Sequence, residues 1–93
     1  MDKLHTKDVD ALFEAILKLQ TKEDCAKFFE DVCTIKELED ITQRLEVAKL
    51  LKKGLNYQTI SKETGASTAT ISRVNKCLNY GSGGYSLVID GDK

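Results

Sequence analysis

NYQTISKETGASTATISRVNKCL, residues 56–78, reads as two short helices joined by a tight turn. Ile60 and Thr64 repeat at helical spacing before the turn, and Ile71, Val74 and Leu78 repeat at i, i+3 and i+7 after it. Gly65 falls where the first helix must stop, and glycine accepts the positive φ that such a stop favours. Ser67 or Thr68 is then placed to cap the second helix, leaving Thr70, Ser72, Arg73 and Lys76 turned away from the apolar stripe. That outward face is short-chained, neutral to basic and rich in hydrogen-bonding groups. It suits a helix-turn-helix whose second helix enters the major groove of double-stranded DNA. An ordinary helical hairpin with a solvated outer face is the plainer alternative.

The formal net charge of −1 looks wrong for a DNA-binding protein until it is divided along the chain. Met1–Thr42 holds eleven acids and six lysines, giving −5. From Gln43 to Leu78, seven cations (Arg44, Lys49, Lys52, Lys53, Lys62, Arg73 and Lys76) face only Glu46 and Glu63, giving +5. The remainder, with Asp90 and Asp92 against Lys93, gives −1 and closes the sum. A basic half joined to an acidic half is what a phosphate-contacting module on a non-contacting body shows. Two oppositely charged faces that steer subunits together would show it too.

Upstream, Thr6 or Asp8 caps a first helix whose apolar face is Val9, Leu12, Phe13, Ile16, Leu17 and Leu19. Thr21, with Asp24 three residues on, opens a second helix carrying Cys25, Phe28, Phe29 and Val32. Thr34 and Glu37 form a capping box for a long third helix over Ile35–Lys53, with Ile35, Leu38, Ile41, Leu45, Ala48 and Leu51 as its expected inward stripe. Gly54 ends it, and Asn56 caps the next helix. The fold class is therefore all-α, a small helical bundle in one domain: N-terminal dimerisation helices over 1–54, the helix-turn-helix over 55–78 and a Gly-rich tail over 79–93. Phe13, Phe28 and Phe29, at roughly 150–250 Å² each, exceed what a bundle of this length readily encloses, so a two-fold homodimer is expected. The tail NYGSGGYSLVI turns at its glycines and then alternates weakly, as a short strand, an arm on the body or partner, or a mobile end.

No apolar run approaches the roughly 18 residues of a membrane span, and the start MDKLHTKD lacks the apolar core of a signal peptide, so a cytoplasmic protein is expected. Cys25, Cys33 and Cys77 are odd in number, have no CxxC spacing and stand far from the single histidine, His5. They make neither a zinc site nor a disulfide framework, and reduced thiols, two of them buried, are expected. No cofactor and no metal is implied. A catalytic Ser/His/Asp or Cys/His set is not credible with His5 alone, and paired acids such as Glu39 and Asp40 sit on helix surfaces where solvated charge is ordinary. The reading is a non-enzyme.

The densest part of the motif, KETGASTATISRVNKCL, resembles the Trp repressor superfamily, with Gly65, Ala66, Ala69-Thr70-Ile71, Arg73 and Leu78 falling as that family has them. Thr42, Leu50-Leu51 and Gly54 extend the likeness backwards, and the whole chain, NYGSGGY included, looks like the shorter YerC/YecD group of Trp repressor-like proteins. The resemblance implies an intertwined all-α homodimer with interlocked N-terminal helices and two recognition helices in successive major grooves. It also implies a transcriptional regulator, a repressor by analogy. Gln58, Ser61, Thr68, Ala69, Ser72 and Lys76 match the family's DNA-facing positions. The residues themselves offer Arg44, Lys49, Lys52, Lys53, Lys62 and Lys76 to phosphates, and Gln58, Thr68, Ser72 and Lys76 to base edges. The whole candidate DNA surface is thus Gln58, Ser61, Lys62, Ser67, Thr68, Ala69, Thr70, Ser72, Arg73 and Lys76.

A candidate effector pocket, by the same resemblance, comprises Gln43, Arg44, Arg73 and Val74. The family's tryptophan pocket places the indole between two arginines beside a glycine. Arg73 matches one arginine, but Gln43 stands where the other belongs, Val74 replaces the glycine, and Cys33 replaces a pocket threonine. Val74 adds methyls where a planar ring would lie, and Gln43 removes the cationic face on which it would stack. Any small-molecule effector is therefore not expected to be tryptophan. The rival readings are a helical protein-interaction module whose acidic half binds a partner, and a DNA-binding module that recruits another machine.

Overall fold

A computed structural model describes residues 6–90; His5, and with it the only histidine, lies outside the described residues. Among the described residues six helices follow one another: α1 Lys7–Ile16, α2 Lys22–Val32, α3 Ile35–Lys52, α4 Tyr57–Thr64, α5 Thr68–Tyr80 and α6 Gly84–Ile89. The chain divides into two compact units, Met1–Ile35 and Lys36–Lys93.

Helix starts follow from side-chain oxygens that accept otherwise unpaired first-turn N–H groups. Thr6 Oγ1 accepts from the Val9 amide at 3.1 Å, Thr21 Oγ1 from Asp24 at 3.0 Å, Asn56 Oδ1 from Thr59 at 2.9 Å and Ser67 Oγ from Thr70 at 3.1 Å. Of the alternatives open in the sequence, Thr6 rather than Asp8 and Ser67 rather than Thr68 are the caps. Asp24 reaches back to the Gln20 amide at 3.0 Å, one residue earlier than a standard capping box. α3 ends in a Schellman-type stop at Gly54, φ 89°. There the Leu55 amide donates to the Leu50 carbonyl at 3.2 Å and the Gly54 amide to the Leu51 carbonyl at 3.0 Å.

In the first unit, α1 and α2 bury no residue completely. Phe28 and Phe29 meet edge to face with centroids 5.2 Å apart. α1 stops at Ile16, short of the expected Leu19; Leu17 lies in the following turn, 82 % exposed.

The second unit holds the core. Val47 and Ala48 of α3, Ile60 of α4, Ala66 of the turn, and Ile71 and Val74 of α5 are each exposed by 2 % or less. Leu50, Leu51, Leu55, Tyr57, Leu78, Tyr85 and Ile89 pack around them, half-buried. Each fully buried Ile or Val contributes about 1.5–3 kcal/mol.

The expected stripe on α3 is corrected. Val47, outside that stripe, is fully buried, whereas Ile35, Leu38 and Ile41 are exposed. At about 100° per residue, Val47, Ala48 and Leu51 share a face roughly 100° from Leu38, Ile41 and Leu45. The helix carries two apolar faces, which its spacing merges into one broad stripe. The cysteines are free but none is buried: Cys25 and Cys77 are exposed and Cys33 is half-buried. Cys77 falls beside, not on, the Ile71–Val74–Leu78 stripe. No helix among the described residues is long and apolar enough to cross a membrane.

The tail strand is also corrected. Gly84–Ile89 is a short helix, and no strand occurs among the described residues. Gly83 initiates it in the left-handed region, φ 85°. Tyr85 and Ile89, four residues apart, then land on one side against the core. Read as alternation, Tyr85, Leu87 and Ile89 share a strand face; read at helical spacing, Tyr85 and Ile89 pair and Leu87 is left out, which matches its exposure. A lone strand would have had no ladder for its amides.

Candidate nucleic-acid interface

The helix-turn-helix is held by a short chain of hydrogen bonds centred on Gly65. That glycine has φ 77°, and its amide donates to the Ser61 carbonyl at 2.8 Å. The Ser61 hydroxyl donates to the Ala66 carbonyl at 2.8 Å, and the Thr64 hydroxyl donates to the Ile60 carbonyl at 2.7 Å while accepting from the Ala66 amide at 3.1 Å. From α3, Gln43 Nε2 donates to the Thr64 carbonyl at 3.2 Å. The turn is thereby fastened both to itself and to the long helix. With Ile60, Ala66, Ile71 and Val74 buried beneath it, the angle between α4 and α5 is set by packing as well as by hydrogen bonds.

The ten residues expected at the DNA surface divide into two groups. Gln58, Lys62, Thr68, Ala69, Ser72, Arg73 and Lys76 are exposed. Ser61 and Thr70 are half-buried, with Ser61 bracing the turn and Thr70 Oγ1 accepting from Ser67 Oγ at 3.2 Å. Ser67 is the cap itself. The open face of α5 is therefore Thr68, Ala69, Ser72, Arg73 and Lys76, and none of these makes a side-chain hydrogen bond or ion pair among the described residues. The first turns of α4 and α5 carry no acidic residue, so their positive ends stay unneutralised.

The four residues of the candidate effector pocket have separate roles in a single chain. Gln43 braces the turn, Arg44 is half-buried, Arg73 stands on the open face and Val74 belongs to the core at 1 % exposure. Among the described residues no group of three or more His, Cys, Asp or Glu side chains is placed to hold a metal ion.

Two expected phosphate contacts are altered by neighbours. Lys52 Nζ lies 2.8 Å from Asp90 Oδ1 and donates to Ser86 Oγ at 3.2 Å, which ties α6 to the end of α3. Lys49 Nζ lies 3.8 Å from Glu46 Oε2. Nothing in the sequence signals the tail partner of Lys52, because two residues 38 positions apart carry no mark of an ion pair.

Residues 7–92 match the family described as Trp repressor protein. The protein YerC of Bacillus subtilis (strain 168), itself uncharacterized, is 53 % identical over 90 residues, which cover 97 % of this chain and 86 % of YerC. The crystal structure of a TrpR-like protein from Eubacterium eligens ATCC 27750 superposes with a TM-score of 0.94 at 52 % identity, covering 98 % of this chain and 94 % of that one. A second crystal structure, from Staphylococcus aureus, gives a TM-score of 0.92 at 48 % identity over 97 % of this chain and 90 % of its own. With the helix-turn-helix, the all-helical fold and this match along nearly its whole length, the chain belongs to the Trp repressor family.

Proposed function

We propose that the protein is a sequence-specific DNA-binding transcriptional regulator, acting as a repressor and as a homodimer, with α5 as the recognition helix in the major groove. The observation that carries this is the uncommitted face of α5: Thr68, Ala69, Ser72, Arg73 and Lys76 stand exposed on a helix whose opposite side buries Ile71 and Val74. Thr68 and Ser72, short and neutral, suit base edges, and Lys76 reaches either a base or a phosphate. Arg73, Lys62, Lys53 and Arg44 supply phosphate charge. Gln58 on α4 faces the same partner. No chemical step is assigned to any residue.

The homodimer rests on the apolar surface that one chain leaves uncovered. Leu12, Phe13, Leu17 and Val32 of the first unit are exposed, as are Ile35, Leu38 and Ile41 along the first half of α3. Soluble chains rarely leave so many large apolar groups in water, and a second copy on a two-fold axis is the commonest cover. Two motifs so joined would read two half-sites about one helical turn apart.

Tryptophan is not the effector in this reading. The Gln43 amide is engaged with the Thr64 carbonyl, and Val74 is part of the core rather than a gap in it. Selection of bound sequences from random duplex DNA, with and without a panel of amino acids, tests the proposal. It requires a two-fold symmetric consensus that appears without added tryptophan; recovery of no sequence preference would refute it.

A further inference from the structure

The Gly-rich motif NYGSGGY holds two tyrosines that the fold treats oppositely. Tyr85 folds back with α6 and packs against the core, while Tyr80, the last residue of α5, is left 84 % exposed. The break between them is local. A Cβ at Gly81 would come within 2.5 Å of the Cys77 carbonyl oxygen, so the chain leaves α5 by a path close over its last turn. It then runs to the end of α3, where Asp90 meets Lys52. The tail is thus carried off elsewhere, and Tyr80 stays uncovered at the end of the recognition helix.

A single exposed aromatic is ordinary on a protein surface. What sets Tyr80 apart is its register. At about 100° per residue it lies within roughly 20° of Ala69 and of Arg73 around α5, and within roughly 40° of Lys76. It therefore ends the same outward stripe that carries the basic residues, opposite buried Ile71 and Val74. From Ser72 to Tyr80 is eight residues, or about 12 Å of helix, more than the roughly 8.5 Å depth of the major groove. With the N-terminal part of α5, Ser72 included, on the base edges, Tyr80 stands at the level of the backbone phosphates.

We infer that Tyr80 is a further DNA-binding residue, whose phenol hydroxyl donates to a backbone phosphate oxygen at the edge of the groove and so sets how far α5 enters it. The inference rests on the proposed DNA reading. Tyrosine is among the side chains that bind phosphate without adding charge, and its rigid ring fixes the hydroxyl at a set distance from the helix axis. It is a positioning contact, distinct from base readout.

The test uses the full chain with Tyr80→Phe and Tyr80→Ala, titrated against a selected duplex and a random-sequence duplex of equal length at several salt concentrations. Tyr80→Phe weakens binding to both duplexes by the same factor, about three- to tenfold, the size of one net hydrogen bond, and Tyr80→Ala weakens it at least as much. The slope of log affinity against log salt is unchanged, since no charge is removed. The melting temperature and the assembled mass of the free protein are unchanged, since the side chain is 84 % exposed. Wild-type affinity in Tyr80→Phe, an altered base preference, or a loss of assembled mass in either variant overturns the assignment of Tyr80 alone. A wild-type protein that binds neither duplex overturns the DNA reading, and this inference with it.

Discussion

Ser61 and Ser72 are both serines on the motif helices, and their hydroxyls meet different fates. Ser61 is half-buried and donates to the Ala66 carbonyl, so its part is to hold the turn. Ser72 is exposed, one turn from Lys76, with its hydroxyl unengaged. Ser72→Ala is therefore expected to cost roughly 1–3 kcal/mol on a preferred duplex and little on random DNA, with no change in folding stability; competition binding on both duplexes checks it. A uniform loss on both would mean that Ser72 contacts backbone. Gln43 and Val74 make a second residue-scale expectation. Because the one braces the turn and the other fills the core, calorimetric titration with tryptophan gives no saturable heat up to millimolar ligand, and micromolar binding would contradict it. Which residues flank the turn was legible from spacing alone, since Gly65, Ile71 and Val74 sit where a helix-turn-helix needs them. Which hydroxyls the turn itself engages was not. Ser61, Ser67 and Thr70 differ from Ser72 and Thr68 only in which atoms lie within about 3 Å, and sequence spacing carries no such distance.

α6 is an element whose sequence supports two readings, and its packing decides between them. Six residues do not hold a helix in water unaided; Tyr85 and Ile89 against the core do. The Lys52–Asp90 pair, with both side chains substantially exposed, adds little by itself. A chain ended at Gly83 is expected to lose about 1.5–3 kcal/mol of stability, the partial burial of two large side chains, whereas Asp90→Asn shifts stability by less than about 0.5 kcal/mol. Urea denaturation separates the two, and equal losses would show the ion pair to be the true fastening. The same pair revises the phosphate contacts. Lys52 is held by the tail, so Lys52→Ala with Lys53→Ala is expected to lower the salt slope of DNA binding by about one unit, not two. A fall of two units would mean that the tail releases Lys52 on DNA. The caps of α2 and α4 were legible outright and those of α1 and α5 to one of two candidates, because a cap is local chemistry. The split face of α3 was not, because a helix that serves two surfaces superimposes two periodicities.

Across the whole chain, charge and exposed apolar surface fall mostly on different stretches of the sequence. The basic residues gather over Gln43–Leu78, while exposed large apolar side chains gather on α1, α2 and the first half of α3. This division fits one half that meets nucleic acid and one that meets a second copy. Light scattering at micromolar concentration should therefore give about twice the 10.4 kDa chain mass, and Phe28→Asp should yield unfolded or aggregated protein rather than a soluble monomer, since core and subunit contact would be one structure. A stable, cooperatively folded species at the chain mass would contradict the dimer. Binding of duplex DNA by the open face of α5 is decided by a titration of the unmodified protein against a selected duplex across a range of salt concentrations. Saturable binding is expected, with a log affinity that falls linearly with log salt and exceeds that for random duplex at every concentration; failure to bind either duplex at low salt would overturn DNA binding by α5.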